Sequence, residues 1–133
     1  MTQLRTLAPR ARQRLTALLL TLGTMWVLSS CVNQPQYRDL EEYWSFAELY
    51  DFAYLTCIAQ TYRQEGRTAN AERLDVEIWQ YIENGAYPAS AYGQVKTASR
   101  QYAAHIPSGD SNAGCARWKG DDALTAVIRH SMR

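Results

Sequence analysis

Three cysteines, two histidines and a few clustered hydroxyls are the residues of this 133-residue chain best equipped for chemistry. An enzyme needs a nucleophile, a base and groups that position them. Ser108 and Ser111 lie within six positions of His105, so a Ser–His pair is the nucleophilic arrangement the spacing offers. The simpler reading is a histidine at a helix C-terminus, favoured there by the macrodipole, beside serines that serve a turn. The carboxylate pairs Glu41–Glu42 and Asp121–Asp122 add nothing catalytic. Adjacent helical residues diverge by about 100°, so neither pair converges on one substrate atom. Both suit helix N-termini instead. The nine tyrosines invite a sugar- or peptide-binding reading, but most fall on helical stripes, where core packing accounts for them. No enzymatic activity, metal or cofactor is expected.

The cysteines divide by context. Residues 1–14 carry Arg5, Arg10, Arg12 and Arg14 and no acidic residue; residues 15–28 (LTALLLTLGTMWVL) carry no charge. A basic stretch followed by a short apolar one is the layout of an export signal, and it falls short of the ~20 residues a membrane-spanning helix needs. Leu28-Ser29-Ser30-Cys31 resembles the lipobox of bacterial lipoproteins. Residues 1–30 then read as a lipoprotein signal peptide, with Cys31 as the acylated N-terminus. The alternative is an ordinary signal whose cleavage region happens to contain a cysteine. Val32 stands where an inner-membrane retention signal has Asp, which favours the outer membrane, the protein facing the periplasm. Residues 31–42 form the lipidated N-terminus and a tether containing Pro35.

Two cysteines remain. In an oxidising envelope compartment an even remainder favours a disulfide between Cys57 and Cys115; two buried free thiols are the alternative. Neither has a second Cys or a His at ligand spacing, so a metal site is not expected. Without the four signal arginines the chain has ten basic and thirteen acidic residues, a net charge of −3. No basic run or stripe suits nucleic acid.

The elements that position these residues are helical throughout. Residues 43–63 place Phe46, Tyr50, Tyr54, Cys57, Ile58 and Tyr62 on one face at spacings near three and four. Asp39 with Glu42 has the form of a capping box, Gly66 closes the helix, and Thr68 is suited to cap the next. A helix over 69–83 buries Ala71, Leu74, Ile78, Tyr81 and Ile82, with Gly85 at its end. Pro88 fits the first turn of a helix over 88–104 that carries Tyr92, Val95, Ala98 and Tyr102. Residues 106–114 (IPSGDSNAG) have the composition of a loop, followed by a helical turn over 115–119 and a last helix from Asp121 with Leu124, Val127 and Ile128 inward. No segment alternates with period two for long enough to be a strand. The fold class is all-α: a small bundle of four to five helices with one disulfide, its domain spanning 43–133.

Three blocks together resemble a known family. They are residues 54–62 (YLTCIAQTY), residues 82–92 (IENGAYPASAY), and Cys115 followed nine positions later by Leu124. Their order is similar to that of the immunity proteins that protect bacteria from peptidoglycan amidase effectors of the type VI secretion system. The resemblance implies a helical, often dimeric periplasmic protein with a Cys–Cys bridge. It also implies a loop inserted into the amidase cleft, covering a Cys–His pair. By position that loop comprises Pro107, Ser108, Gly109, Asp110, Ser111 and Asn112. The stretch 66–80 is longer and more charged than the family pattern, and a lipid anchor is not typical of it. A docking module of an envelope assembly is the alternative function, and a plain helix connector is the alternative reading of the loop.

The lipobox yields a direct test. Stable anchoring needs two or more acyl chains, so Cys31→Ser should release the protein from the membrane fraction. Retention of the variant after high-salt and carbonate washing would count against lipid anchoring.

Overall fold

The structure, a computed structural model, describes residues 40–133. The export signal, Cys31, the tether residues before Leu40 and the Asp39 half of the capping box lie outside the described residues. Five α-helices follow in order: α1 (Leu40–Gln64), α2 (Thr68–Asn84), α3 (Ala89–Ala103), α4 (Ser111–Lys119) and α5 (Asp122–Ser131). No strand occurs among the described residues. The described residues are all-α, as their periodicity predicts.

Long-range contacts fix the directions. α1 runs up and α2 returns beside it. Tyr92 at the start of α3 donates to Glu48, and Tyr87 Oη donates to the Ser45 carbonyl at 2.6 Å, so α3 sets out from the N-terminal end of α1. Ser111 meets Glu65, Cys115 is bonded to Cys57, Lys119 pairs with Asp51, Tyr50 with Thr125, and Arg129 with Glu42. Partner numbers fall along α1 as they rise along α4 and α5. The two short helices therefore form one descending arm, broken at Gly120, of an up-down-up-down bundle.

α1 is the axis of this bundle. It packs against α2, α3, α4 and α5, and its buried residues (Leu49, Tyr50, Phe52, Ala53, Thr56, Cys57, Ile58, Ala59, Thr61) go well beyond a single stripe. The one-face pattern read from residues 43–63 underestimates it, because a helix with neighbours on several sides buries more than one face. Leu49, Phe52, Ala53, Val95, Leu124 and Ile128 form the core with Tyr92 and the disulfide. α2 buries Ala71 and Ile78, while Leu74, Tyr81 and Ile82 pack against the core half-exposed.

Helix ends differ from expectation in four places. α1 begins at Leu40, three residues early, and breaks its helical geometry at Phe46 (φ −119°, ψ 17°). The Tyr87 hydroxyl occupies the carbonyl of Ser45 at that break, the kind of side-chain insertion that bends helices. Arg67, not Thr68, takes the N-cap position of α2, and Thr68 is already helical. Pro88 likewise precedes α3 as its N-cap instead of lying in the first turn. α4 starts at Ser111, so the expected loop over 106–114 ends four residues sooner. Gly66 does close α1: with φ +73°, its N–H bonds the Arg63 carbonyl while Arg67 N–H bonds the Tyr62 carbonyl, the two bonds of a Schellman motif.

Gly85 is required by close approach. A Cβ there would lie 1.8 Å from Tyr92 Oη and 2.3 Å from the Tyr81 carbonyl oxygen. The first group could swing away, but the second is backbone. Gly85→Ala should therefore destabilise the domain by about 1–3 kcal/mol, seen as a lower denaturation midpoint with unchanged m. An unaltered midpoint would show that the α2–α3 junction yields freely.

Candidate functional site

The loop residues singled out by sequence lie at the end of the bundle where α1 gives way to α2. The connection from α3 to α4 turns over at residues 107–110. Asp110 N–H bonds the Pro107 carbonyl at 3.1 Å, and Gly109 has φ +87°. A hydrogen-bonded four-residue turn with positive φ at its third position calls for glycine there. Pro107, Ser108 and Gly109 are exposed and Asp110 half-exposed.

Three contacts fix this turn from below. Glu65 Oε1 accepts from Gly109 N–H at 2.8 Å and from Ser111 Oγ at 2.9 Å, across 44 and 46 residues of sequence. On the far flank, Arg117 donates to Asp110 at 2.5 Å. Beneath the connection, Ile106 lies over Gly114, where a Cβ would come within 2.7 Å of its side chain. The Gly109 amide and then the Ser111 hydroxyl hold the Glu65 carboxyl below the usual glutamate range, with Arg67 at 3.4 Å adding to the effect. Arg67 itself lies over the Tyr62 ring at 4.0 Å.

The disulfide stiffens the same flank. Cys57 and Cys115 are bonded, with Cα atoms 5.7 Å apart and both residues fully buried. Cys115 follows Ser111 by one helical turn. Trp118 adds to the hold: its indole N–H donates to Ser99 Oγ at 3.1 Å, and its ring stacks on Tyr102 at 4.4 Å. Lys119 closes α4 onto α1 by pairing with Asp51. Burial pulls its ammonium down, and Asp51 with Tyr43 outweighs that and leaves it above the ordinary lysine value.

The six loop residues are thus not one exposed loop. Pro107, Ser108, Gly109 and Asp110 form the turn, whereas Ser111 and Asn112 belong to the first turn of α4. Ser111 is buried, its hydroxyl committed to Glu65, and Asn112 is exposed. His105 Nδ1 faces the Gln101 carbonyl at 3.0 Å, so the bonds of His105 and Ser111 lead to other partners than each other. Glu65 was not foreseen. Its position before Gly66 marks a turn, and nothing in the sequence ties it to residues more than forty positions away.

Two surface depressions lie elsewhere. An open groove of about 670 Å³ runs between α3 and α5, lined by Gly93, Thr97, Ala98, Ala126 and His130 among others. A second, of about 570 Å³, lies where α1 meets α2 and is lined by Glu48, Glu77, Gln80, Tyr81 and Asn84. Burial, then the charges of Asp51 and Glu48, raises the Tyr81 hydroxyl above its ordinary value. No helix among the described residues is long and apolar enough to cross a membrane. Comparison with protein-family models, curated proteins and solved structures finds no match in any of the three. The likeness to amidase immunity proteins therefore rests on the three sequence blocks.

Glu65 gives the turn a pH dependence. A carboxyl held below its ordinary value contributes its stabilisation above the unfolded value of about 4.3 and loses it as pH falls through the lowered one. The Gly109 amide resonance should accordingly titrate with a midpoint below about 4.3, and Glu65→Gln should abolish that titration. A midpoint at or above the ordinary value would mean that the carboxylate does not hold the turn.

Proposed function

We propose that this protein is an envelope-anchored immunity protein that inhibits a type VI secreted peptidoglycan amidase by occluding its catalytic cleft. The observation that carries the proposal is the exposed turn of Pro107, Ser108, Gly109 and Asp110, held on both flanks by Glu65 and Arg117. A segment already fixed in its bound shape loses less entropy on entering a cleft, which favours tight occlusion. The turn is also narrow. Gly109 has no side chain and Ser108 a short one, so the backbone at the tip can approach reacting residues closely. Lipidation of Cys31 would keep the inhibitor at the envelope, where an incoming amidase meets peptidoglycan. The three sequence blocks supply the partner class, and the turn supplies a means.

A second reading, a docking module of an envelope assembly, draws support from α2. Val76 and Trp79, three positions apart and 61% and 56% exposed, put an apolar pair on its outer face.

The two readings part on one experiment. A candidate Cys–His amidase effector is exported to the periplasm with either the wild-type chain or Ser108→Trp, and lysis is followed. Ser108 is exposed, so its replacement should leave the melting profile within about 0.5 kcal/mol of wild type. A bulky side chain at a cleft-filling tip should cost about 2 kcal/mol of binding or more, roughly a thirtyfold loss. Full protection by the folded Ser108→Trp variant would remove the turn as the inhibitory element. Lysis with the wild-type chain present would reject immunity and favour the docking module.

A further inference from the structure

At the opposite end of the bundle, α1 begins with two large apolar side chains in water. Leu40 is 63% exposed and Trp44 73%. They are four residues apart and so share one face. The break at Phe46 sets residues 40–45 off from the rest of α1. α5 ends beside this segment, because Arg129 pairs with Glu42. One turn beyond Arg129 come Met132, 38% exposed, and Arg133. Leu40 and Trp44 themselves supply a tryptophan beside an aliphatic side chain, a pairing that settles at the boundary between headgroups and acyl chains.

Chain length says what covers it. Cys31 precedes Leu40 by nine residues, and nine extended residues span at most about 30 Å. A chain anchored through Cys31 therefore keeps the α1 N-terminus within that distance of the lipid, and these exposed residues are the first that the domain presents to it. We propose that the face formed by Leu40 and Trp44 rests in the interface of the membrane that holds Cys31, so that the domain stands on this end of α1. The proposal rests on the reading of Cys31 as lipidated. It also orients the molecule. Glu65 lies 21 residues beyond Trp44, about 30 Å along a helix, so the turn carrying Ser108 points away from the bilayer toward the periplasm.

The test uses the full chain purified from membranes and reconstituted into phosphatidylethanolamine–phosphatidylglycerol vesicles carrying lipids brominated near the headgroup. The Trp44 emission is the difference between wild type and Trp44→Phe; Trp79→Phe serves as the control. Loss of the Trp44 component to brominated lipid, with protection from aqueous iodide, is expected, and Trp79→Phe should leave that loss in place. A Trp44 component quenched by iodide and untouched by brominated lipid overturns the proposal. Protection from iodide without bromine quenching, accompanied by crosslinks between copies, overturns it in favour of self-association. Mass analysis of the N-terminal peptide separates the two levels. An acylated Cys31 with Trp44 in water sinks only the membrane-resting face, whereas an unacylated N-terminus removes the anchor and this face with it.

Discussion

Nine residues are too few to hold a helix in water, since isolated helices under about 12–15 residues are marginal even with favourable sequences. α4 has nine residues, including a glycine, a serine and an asparagine, so its stability comes from what it is attached to. The covalent bond from Cys115 to Cys57 is the principal attachment. It joins the short arm to the axis of the bundle and closes a loop spanning 58 positions. In the chain-entropy treatment such a closure contributes roughly 4 kcal/mol. Trp118 and Lys119 then fix the rotation and the far end of α4. Once α4 is placed, so is Ser111, one turn before the cystine, and with it the point from which residues 107–110 must turn back. Glu65 serves two donors, the Gly109 amide and the Ser111 hydroxyl on either side of Asp110, in the register that the disulfide helps to hold.

The same axis separates the two ends of the molecule. At one end of α1 stand Leu40 and Trp44, the closing residues of α5 and the junction between α2 and α3. At the other stand Glu65 and the turn. The polar chemistry follows this division. Near the α1 N-terminus, hydroxyls meet half-buried acceptors: Tyr92 reaches Glu48, and burial, then that hydrogen bond, raises its phenol well above the ordinary tyrosine value. Phe52 and Tyr87 pack edge-on around Tyr92, with ring centroids 5.0 and 6.2 Å away. Near the α1 C-terminus a carboxylate receives backbone and side-chain donors, and small residues such as Gly114 let the chain come close. Tyrosine hydroxyls on α1 acceptors mark the first end, and a turn held by a carboxylate marks the second.

How far the sequence made this legible depends on the kind of contact. Periodicity located α1, α2 and α3 because spacing of three and four is local, and cysteine arithmetic paired Cys57 with Cys115. Sequence composition misled at residues 111–114. Ser, Asn, Ala and Gly read as loop, yet they are helical because Glu65 holds Ser111 and because Ile106 needs the space that Gly114 leaves. Those causes lie on other segments, so no window of sequence contains them. The width of the buried surface on α1 was hidden for a related reason: a stripe can be read from the chain, but the number of neighbours around a helix cannot. The kink at Phe46 depends on Tyr87, 41 positions later, and belongs to the same class. Within the site, the glycine of the turn was readable as a turn residue, whereas the carboxylate that fixes it was not.

This arrangement also bears on how the two ends influence each other. Effects at sites more than about 7–10 Å apart, with no shared partner, add almost independently. Trp44 and Ser108 lie at opposite ends of α1, with the core of Leu49, Phe52, Cys57 and Leu124 along the intervening length. Their direct partners do not overlap: Tyr43 is beside Trp44, while Glu65 and Arg117 hold the turn. A coupling between them would have to pass through α1 as a rigid body. The cystine in the C-terminal third of α1 ties that body to α4 and resists the shear such a coupling would need. Each end is therefore free to vary on its own, and α1 with its disulfide carries both without forcing either to follow the other.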